Sequence, residues 1–436
     1  MSALSSFFKL EQYNTTLSRE LVAGLTTFTT MSYIVVVNPA ILSQAGIPAG
    51  PSFVATIVAA VFGCLLMGFY ANRPFAIAPY MGENAFIAFT VCVQLGFKWQ
   101  TALGAIFVAG IVFVVLTVLQ LRQWIVDAVP LSLRYSFAVG IGLFLTFIGL
   151  NQTGIVALGV AGAPVRSGHL TSPPVLVAIF GFLLLSVLVI RKVPGAILIG
   201  IVVTAVVAFI AHTAAPPGHF LSLPPALKPI VMQMDIRSAL SWRAFPVVLT
   251  IFIMAFVDTM GTLIGLSARA GFLDREGKLP QIERPMMVDA LTTTLAPMIG
   301  TTTSGAYVES ATGIEAGGRT GLTAIVTAVG FALTLFFAPF VSAIPAQAYG
   351  PAMVIVGLFM LEPITRINFA DYTDSIPAFA VITLMCFTFN IGVGITAGFV
   401  LYPLGKIVTG KIREIKPGLW ILTALSLLFF IFYPYR

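Results

Sequence analysis

Charge is what this chain has least of. Only 9% of its 436 residues are Asp, Glu, Lys or Arg, against 58% hydrophobic. A soluble globular domain carries roughly 25% charged residues, so a water-facing surface over most of the chain is excluded and a polytopic membrane protein is expected. Cysteine is also scarce. Cys64, Cys92 and Cys386 lie far apart, in or beside apolar runs and without metal spacing, which leaves packing as their role. His169, His212 and His219 fall in or near loops and form no metal-site constellation. No cofactor is called for. The N-terminal MSALSSFFKLEQYNTTLSRE is polar and amphipathic and has no small-residue cleavage site, so no cleavable signal peptide is expected. The formal net charge of +7 does not indicate nucleic acid, because most basic residues sit in short loops between apolar runs.

What the chain has in plenty is hydrocarbon of spanning length. Apolar runs are expected at Leu21–Ala40, Phe53–Tyr70, Ala102–Leu121, Phe137–Leu150, Val175–Ile190 and Ile197–Ala211, with an interrupted region at Pro74–Val93. A polar, proline-rich loop, Thr213–Arg243, separates two halves. The second half has runs at Val247–Leu266, Met286–Ile299, Leu322–Val341, Met353–Leu361, Pro377–Phe389, Gly392–Leu404 and Leu419–Phe432, interrupted at Thr301–Ala316. The reading is about fourteen spans, with the last run either spanning or interfacial. With the N-terminus in the cytoplasm, only Lys98, Arg166, Lys228, Arg237, Arg243 and Arg436 of the 23 basic residues fall outside. Arg73, Arg122, Arg269, Arg275, Lys278, Arg319 and the other basic residues fall inside, which sets a cytoplasmic N-terminus in a plasma (inner) membrane.

Both interrupted regions occupy the third position of their half. An odd number of spans per half gives the halves opposite topology, and paired broken segments in inverted halves point to a midplane transport site. The stretch TTTSGAYVESATGIEAGGRTGLT, from Thr301 to Thr323, reads as a short extended segment feeding a short helix, with Glu309 in about its second turn and Gly317-Gly318-Arg319 ending it. Irregular backbone at this depth is tolerated only where it is buried in protein or lines a cavity. The half-helix N-termini are expected to present free N–H groups to a ligand.

Four of the sixteen acidic residues read as intramembrane: Glu83, Asp258, Asp289 and Glu309. No Lys or Arg lies at comparable depth, so the site is acceptor-rich and suits a neutral or cationic ligand that donates hydrogen bonds. A carboxylate that must be neutralised before crossing is also a natural proton-coupling element, which makes Asp258, Glu309 and Glu83 candidates for that role. Asn84, in Met-Gly-Glu-Asn at the start of the first half-helix, offers a donor and an acceptor. Glu83 points roughly 100° away from it round a helix, toward the ligand or across the core. Asp289, near a span end, reads as structural. Gly261 and Gly265 lie on or near the Asp258 face and would let another helix approach closely. The first span carries Thr26, Thr27, Thr29, Thr30 and Ser32, which serve their own backbone, a neighbouring helix or, at Thr27, the ligand. Phe86 and Tyr307 flank the polar breaks and suit stacking on a planar ring. Ser310 completes the candidate set.

At these residues the chain resembles the nucleobase–cation symporter 2 (nucleobase–ascorbate transporter) family, in its AzgA-like purine permease branch. The resemblance runs nearly end to end, through FFKLEQYNTTLSRELVAGLTTFTTMSYIVVVNPAIL, APYMGENAFIAFTV, DTMGTLIGLSARAGFLD and TSGAYVESATGIEAGGRTGLTA. It implies an all-α membrane fold of two inverted seven-span repeats, with short strands and half-helices in spans three and ten. Core segments 1–121 and 244–341 and gate segments 122–243 and 342–436 follow from it. It further implies purine bases (adenine, guanine or hypoxanthine) as substrates, proton symport with an elevator-like core movement, lipid surroundings, a homodimer through the gate, and no nucleic-acid partner. Carried over by motif, the binding positions are Asn84, Asp258 and Glu309. Many members read Gly-Leu-Asn where this chain has Gly-Glu-Asn, so Glu83 is a departure. The nearest rival is a sulfate-transporter-like anion carrier or channel on the same fold, which the acidic midplane disfavours. An intramembrane aspartyl enzyme built on Asp258 and Asp289 lacks a recognisable motif.

Overall fold

In the computed structural model the described residues are 3–121, 124–125, 128–160, 163–274 and 279–433. Arg122, Arg275, Lys278 and Arg436 of the orientation count lie outside them. The first half runs α1 (Ala3–Phe7), α2 (Leu17–Met31), α3 (Ile34–Gln44), α4 (Ala49–Leu66), β1 (Ile77–Pro79), α5 (Met81–Ala85), α6 (Trp99–Val118), α7 (Leu131–Gln152), β2 (Val156–Val160), β3 (Ala163–Ser167), α8 (Pro173–Ile190) and α9 (Ala196–Ile210). A single turn, α10 (Ile236–Ala239), is the only α-helix described in the loop between the halves. The second half runs α11 (Phe245–Ala270), α12 (Glu283–Met298), β4 (Ser304–Ala306), α13 (Ser310–Glu315), α14 (Gly321–Thr334), α15 (Ala338–Ala343), α16 (Ala346–Phe359), α17 (Tyr372–Phe387), α18 (Ile391–Val408) and α19 (Pro417–Phe432).

Among the described residues, nine helical stretches are long and apolar enough to cross a membrane, and α9, α17 and α19 are shorter apolar helices. Most of the long stretches extend the expected runs at both ends: Phe137–Leu150 becomes Leu131–Gln152, and Met353–Leu361 becomes Ala346–Arg366. A helix in hydrocarbon satisfies every backbone group internally, so it continues until its last turns can reach polar partners. The hairpin β2–β3 between α7 and α8 has no counterpart in the expectation, because its strands are largely exposed and carry no continuous apolar face.

Helix packing sorts the chain. α2 and α4 pack on α14, α6 on α12, and α3 on α4; separately, α7 packs on α16 and α17, α8 on α9 and α16, and α17 on α18. In the first group the two broken segments meet. β1 and β4, one from each half, pair antiparallel with Ile77 opposite Ala306, Ala78 opposite Gly305 and Pro79 opposite Ser304. All six of these residues are buried. This ribbon is the interior point from which α5 and α13 depart.

Candidate functional site

A two-stranded ribbon inside a membrane protein has two edges of backbone groups to satisfy, and side chains do it here. The ladder extends by Tyr80 N–H to the Thr303 carbonyl (3.0 Å) and Tyr307 N–H to the Ala76 carbonyl (2.9 Å). On the outer edges Ala76 N–H donates to Ser310 Oγ at 2.9 Å and Ile77 N–H to Cys64 Sγ at 3.2 Å. Thr293 Oγ1 donates to the Ser304 carbonyl at 3.0 Å. Gly305 is required at the centre, because a Cβ there would collide with Asp289 Oδ1 and the Tyr80 hydroxyl. Tyr80 and Tyr307, paired with positions on the same side of the ladder, hold nearly parallel rings with centroids 6.3 Å apart. The Tyr307 hydroxyl donates to the Pro79 carbonyl.

The two halves are cross-stitched around this ribbon. The Thr302 hydroxyl donates to Asn84 Oδ1, and the Thr303 hydroxyl donates to Glu83 Oε2. Each bond joins α5 to the strand lead of the other half. Glu83 Oε1 and Asn84 Nδ2 are left buried without a hydrogen-bond partner among the described residues. An acceptor and a donor in that position carry the cost of desolvation until a ligand meets them. Asp289 Oδ2 accepts from Thr259 Oγ1 at 2.7 Å, and Thr259 is 3.4 Å from the Tyr80 hydroxyl. Asp289 is therefore buried beside the strand crossing.

Glu309 stands earlier in its half-helix than expected. It is the N-cap residue of α13, not a second-turn residue, because β4 ends at Ala306 and a turn through Val308 intervenes. That turn also uses the N–H groups expected to be free: Ser310, Ala311 and Thr312 donate to Tyr307, Val308 and Glu309 carbonyls at 3.0, 2.9 and 3.0 Å. Side chains, not the start of α13, are left to bind a ligand. Glu309 Oε1 accepts from the Tyr33 hydroxyl at 2.6 Å. As expected, the half-helix stops at the double glycine: Gly317 has φ +106° and Gly318 N–H closes onto the Gly313 carbonyl at 2.9 Å.

Asp258 lies on α11, which packs against α13, α5 and β4. Asp258 and Glu309 are half-buried, whereas Glu83 and Asn84 are fully buried. The expectation that Gly261 and Gly265 admit a neighbouring helix is not met. A Cβ on either glycine would have no atom within 4 Å, so this face of α11 borders open space. The face runs from Asp258 past both glycines to Arg269, whose guanidinium pairs with Glu315 at the end of α13 at 2.8 Å. Two helices thus frame an opening with carboxylates at one end and an exposed ion pair at the other.

Thr27 and Ser310 are placed differently. Thr27 is fully buried, with its Oγ1 where a Gly313 Cβ would stand, so it packs under α13. Ser310 Oγ is engaged by Ala76, as above, and Phe86 is buried where α5 continues into wider turns. The remaining first-span threonines behave as helix threonines do: Thr26, Thr29 and Thr30 donate to carbonyls three or four residues back. Sequence reasoning missed Tyr33 and Glu20. Glu20, buried at the start of α2, accepts from the N–H groups of Arg319, Thr320 and Thr323 and from the Thr323 hydroxyl. Among the described residues no group of His, Cys, Asp and Glu has metal-binding spacing.

Comparison with known proteins places this geometry in context. The model of the Permease family (Xan_ur_permease) matches residues 18–400. A putative permease of Methanocaldococcus jannaschii is 43% identical over 435 residues, covering 100% of this chain and 99% of that one. The guanine/hypoxanthine permease PbuO of Bacillus subtilis is 40% identical over 431 residues, covering 97% and 99%. The adenine permease AdeP of Escherichia coli is 38% identical over 429 residues, covering 98% and 96%. Among solved structures, the transmembrane domain of a cyanobacterial bicarbonate transporter, BicA, superposes with a TM-score of 0.66 at 16% identity, over 88% of this chain and 97% of that one. That likeness concerns the fold, which is a multi-pass, largely helical membrane fold.

Proposed function

Because the chain belongs to the Permease family, we propose that it is a secondary transporter importing purine nucleobases by proton symport across the plasma (inner) membrane, with its N-terminus in the cytoplasm. Relatives of 38% and 40% identity carry the names adenine permease and guanine/hypoxanthine permease, which supports a purine base as substrate. The observation that carries the reading is the acceptor-rich site. Glu309 and Asp258 reach an opening, and Glu83 and Asn84 hold an unpartnered acceptor and donor behind them. A purine edge offers ring N–H groups and, in adenine and guanine, an exocyclic amine. A carboxylate can accept two such donors at once as charge-assisted bonds. In this reading Glu309 and Asn84 read the base, Tyr307 and Phe86 border its ring, and Asp258 with Glu83 holds the coupling proton. Thr27 and Ser310 hold the frame.

The carboxylates also favour a cation over an anion as coupling partner. An anion carrier on this fold would need positive charge or helix dipoles at the same place, and the first N–H groups of α13 are already bonded. The core, 1–121 and 244–341, would carry the site past a gate, 122–243 and 342–436, in an elevator-like movement of a fourteen-span protein, with a second copy joined at the gate. α2, α4, α6, α11, α12 and α14 pack more heavily among themselves than on α7, α8, α9, α16 and α17, which supports that division.

The test is uptake of radiolabelled hypoxanthine into proteoliposomes at two pH values, challenged with each purine and with uracil. Competition by purines and not by uracil, uptake falling at high pH, loss of uptake in Glu309→Gln, and loss of pH dependence in Asp258→Asn are expected. Competition by uracil, or normal uptake by the Glu309 variant, removes Glu309 as the base-reading residue. Full pH-dependent uptake by Asp258→Asn removes Asp258 as the coupling group.

A further inference from the structure

α13 is only six residues long and cannot hold its own direction. What holds it is one face of the first span. Reading along that face, Glu20 binds the α13–α14 turn at Arg319, Thr320 and Thr323. Thr27 fills the space left by Gly313. Thr30 Oγ1 lies 3.0 Å from Thr312 Oγ1. Tyr33 reaches Glu309. The spacing of these residues, near three and four, keeps them on one side of a helix, and the partners run backward along the second half from 323 to 309, so the two segments lie antiparallel. Three of the contacts seat the half-helix. The fourth differs in kind, because it ends on a carboxylate that the proposed function assigns to the substrate.

Tyr33 is 1% exposed and sits where α2 gives way to α3. Its hydroxyl is 2.6 Å from Glu309 Oε1, the range of an O–H donor on a charged oxygen. Tyr307 is the other titratable side chain beside the pair. A glutamate carboxylate turns about three side-chain bonds unless something fixes it, and Glu309, at the N-cap, makes no capping bond of its own. With one oxygen held, the other is presented in a single direction.

We propose that Tyr33 is a positioning residue for substrate binding: its hydroxyl holds one oxygen of Glu309, so that the other faces the opening as an aligned acceptor for an N–H of the substrate. This rests on the reading of Glu309 as the base-binding group. It gives the first span a part in recognition through Tyr33, where the sequence points to Thr27.

The experiment is calorimetric titration of the purified full chain with adenine, guanine and hypoxanthine, in mildly acid and mildly alkaline buffer, with thermal melting alongside. Tyr33→Phe removes one oxygen atom. Thr30→Val removes the bridge to Thr312 one turn away without touching Glu309. Tyr33→Phe is expected to weaken binding of the preferred purine about tenfold, more in acid than in alkaline buffer, because the lost donor favoured the charged carboxylate. Its melting should stay at the wild-type temperature, and Thr30→Val should bind as wild type. Unchanged affinity in Tyr33→Phe overturns the assignment. So does an equal loss in both variants that tracks a lower melting temperature, which would make Tyr33 one more seat for α13. Wild type that binds none of the three purines overturns the purine reading and this one with it, whereas a wild type that binds beside an unaffected Tyr33→Phe overturns this one alone.

Discussion

Thr27 Oγ1 occupies the position that a Cβ on Gly313 would take. One residue belongs to the first span and the other to the half-helix that carries Glu309, and the absence of a side chain on the second is what lets the first lie there. The pair sets how closely α2 and α13 approach, and so the place from which Tyr33 reaches the Glu309 carboxylate.

Gly313→Ala is therefore expected to be destabilising by about 1–3 kcal/mol, the usual cost of forcing a methyl into a filled interior. Substrate affinity should fall with it, because α13 must lift off its seat. Thr27→Ala alone should cost less, since its hydroxyl makes no hydrogen bond among the described residues. The double variant should recover part of the Gly313→Ala loss and not all of it, because the Ala23 carbonyl also lies 2.7 Å from where that methyl would stand. Thermal melting and purine titration of the three proteins measure this. Simple additivity of the two single effects would show that the residues do not share the space.

The glycines facing the opening should behave in the opposite way. A side chain at Gly265 meets nothing within 4 Å, so Gly265→Leu is expected to melt as wild type does. Its branched chain would stand in the passage between Asp258 and the Arg269–Glu315 pair. Uptake should drop at least about tenfold, the effect of raising a barrier by roughly 1.4 kcal/mol. Gly305→Ala is the contrast, since it collides with Asp289 and Tyr80 and should be lost at the folding stage. Gly265→Leu with normal uptake would mean that the substrate takes another route.

Much of this site could be read from residue order alone. A run of Thr, Ser and Gly inside hydrocarbon marks a break, and an acid at that depth marks a candidate, so Glu309, Asp258 and Glu83 stand out as candidates, with the amide of Asn84 beside Glu83. The double glycine after Glu315 was visible for the same local reason. What could not be read depended on partners distant in sequence. Tyr33, inside Met-Ser-Tyr-Ile-Val, looks like any packing aromatic until Glu309, 276 positions away, is placed against its hydroxyl. Asp289 reads as structural from its place in the span, but its partner Thr259 and the Gly305 that makes room for it are brought to it only by the strand crossing. Gly261 and Gly265 looked like a helix contact because small residues permit one, and only the packing of the other helices leaves that face open. Local pattern reveals where the backbone breaks, and tertiary geometry decides which polar groups the break brings together.

Glu20 is the clearest case of a residue hidden by its position, because an acid at the head of a span reads as part of the cytoplasmic border. It is fully buried. Its Oε1 accepts the Arg319 N–H at 2.9 Å, and its Oε2 accepts the Thr320 and Thr323 N–H groups at 3.3 and 3.2 Å and the Thr323 hydroxyl at 2.6 Å. Those N–H groups belong to the turn into α14 and to its first turn, where intrahelical partners are few; Thr323 N–H is shared with the Thr320 carbonyl at 3.2 Å. Glu20 thus caps a helix of the second half from the first span. Glu20→Gln keeps the size but turns one acceptor into a donor, and whichever oxygen is replaced then faces an N–H. Each buried donor left unmatched costs about 1–3 kcal/mol, so the melting temperature should fall clearly. Glu20→Asp keeps both acceptors on a shorter arm and should fall less. Because the turn anchors the far end of α13, uptake should weaken in step with melting across the series. Glu20→Gln that melts as wild type but does not transport would instead give Glu20 a direct part in coupling, and separating the two needs only a melting curve and an uptake assay on the same preparation.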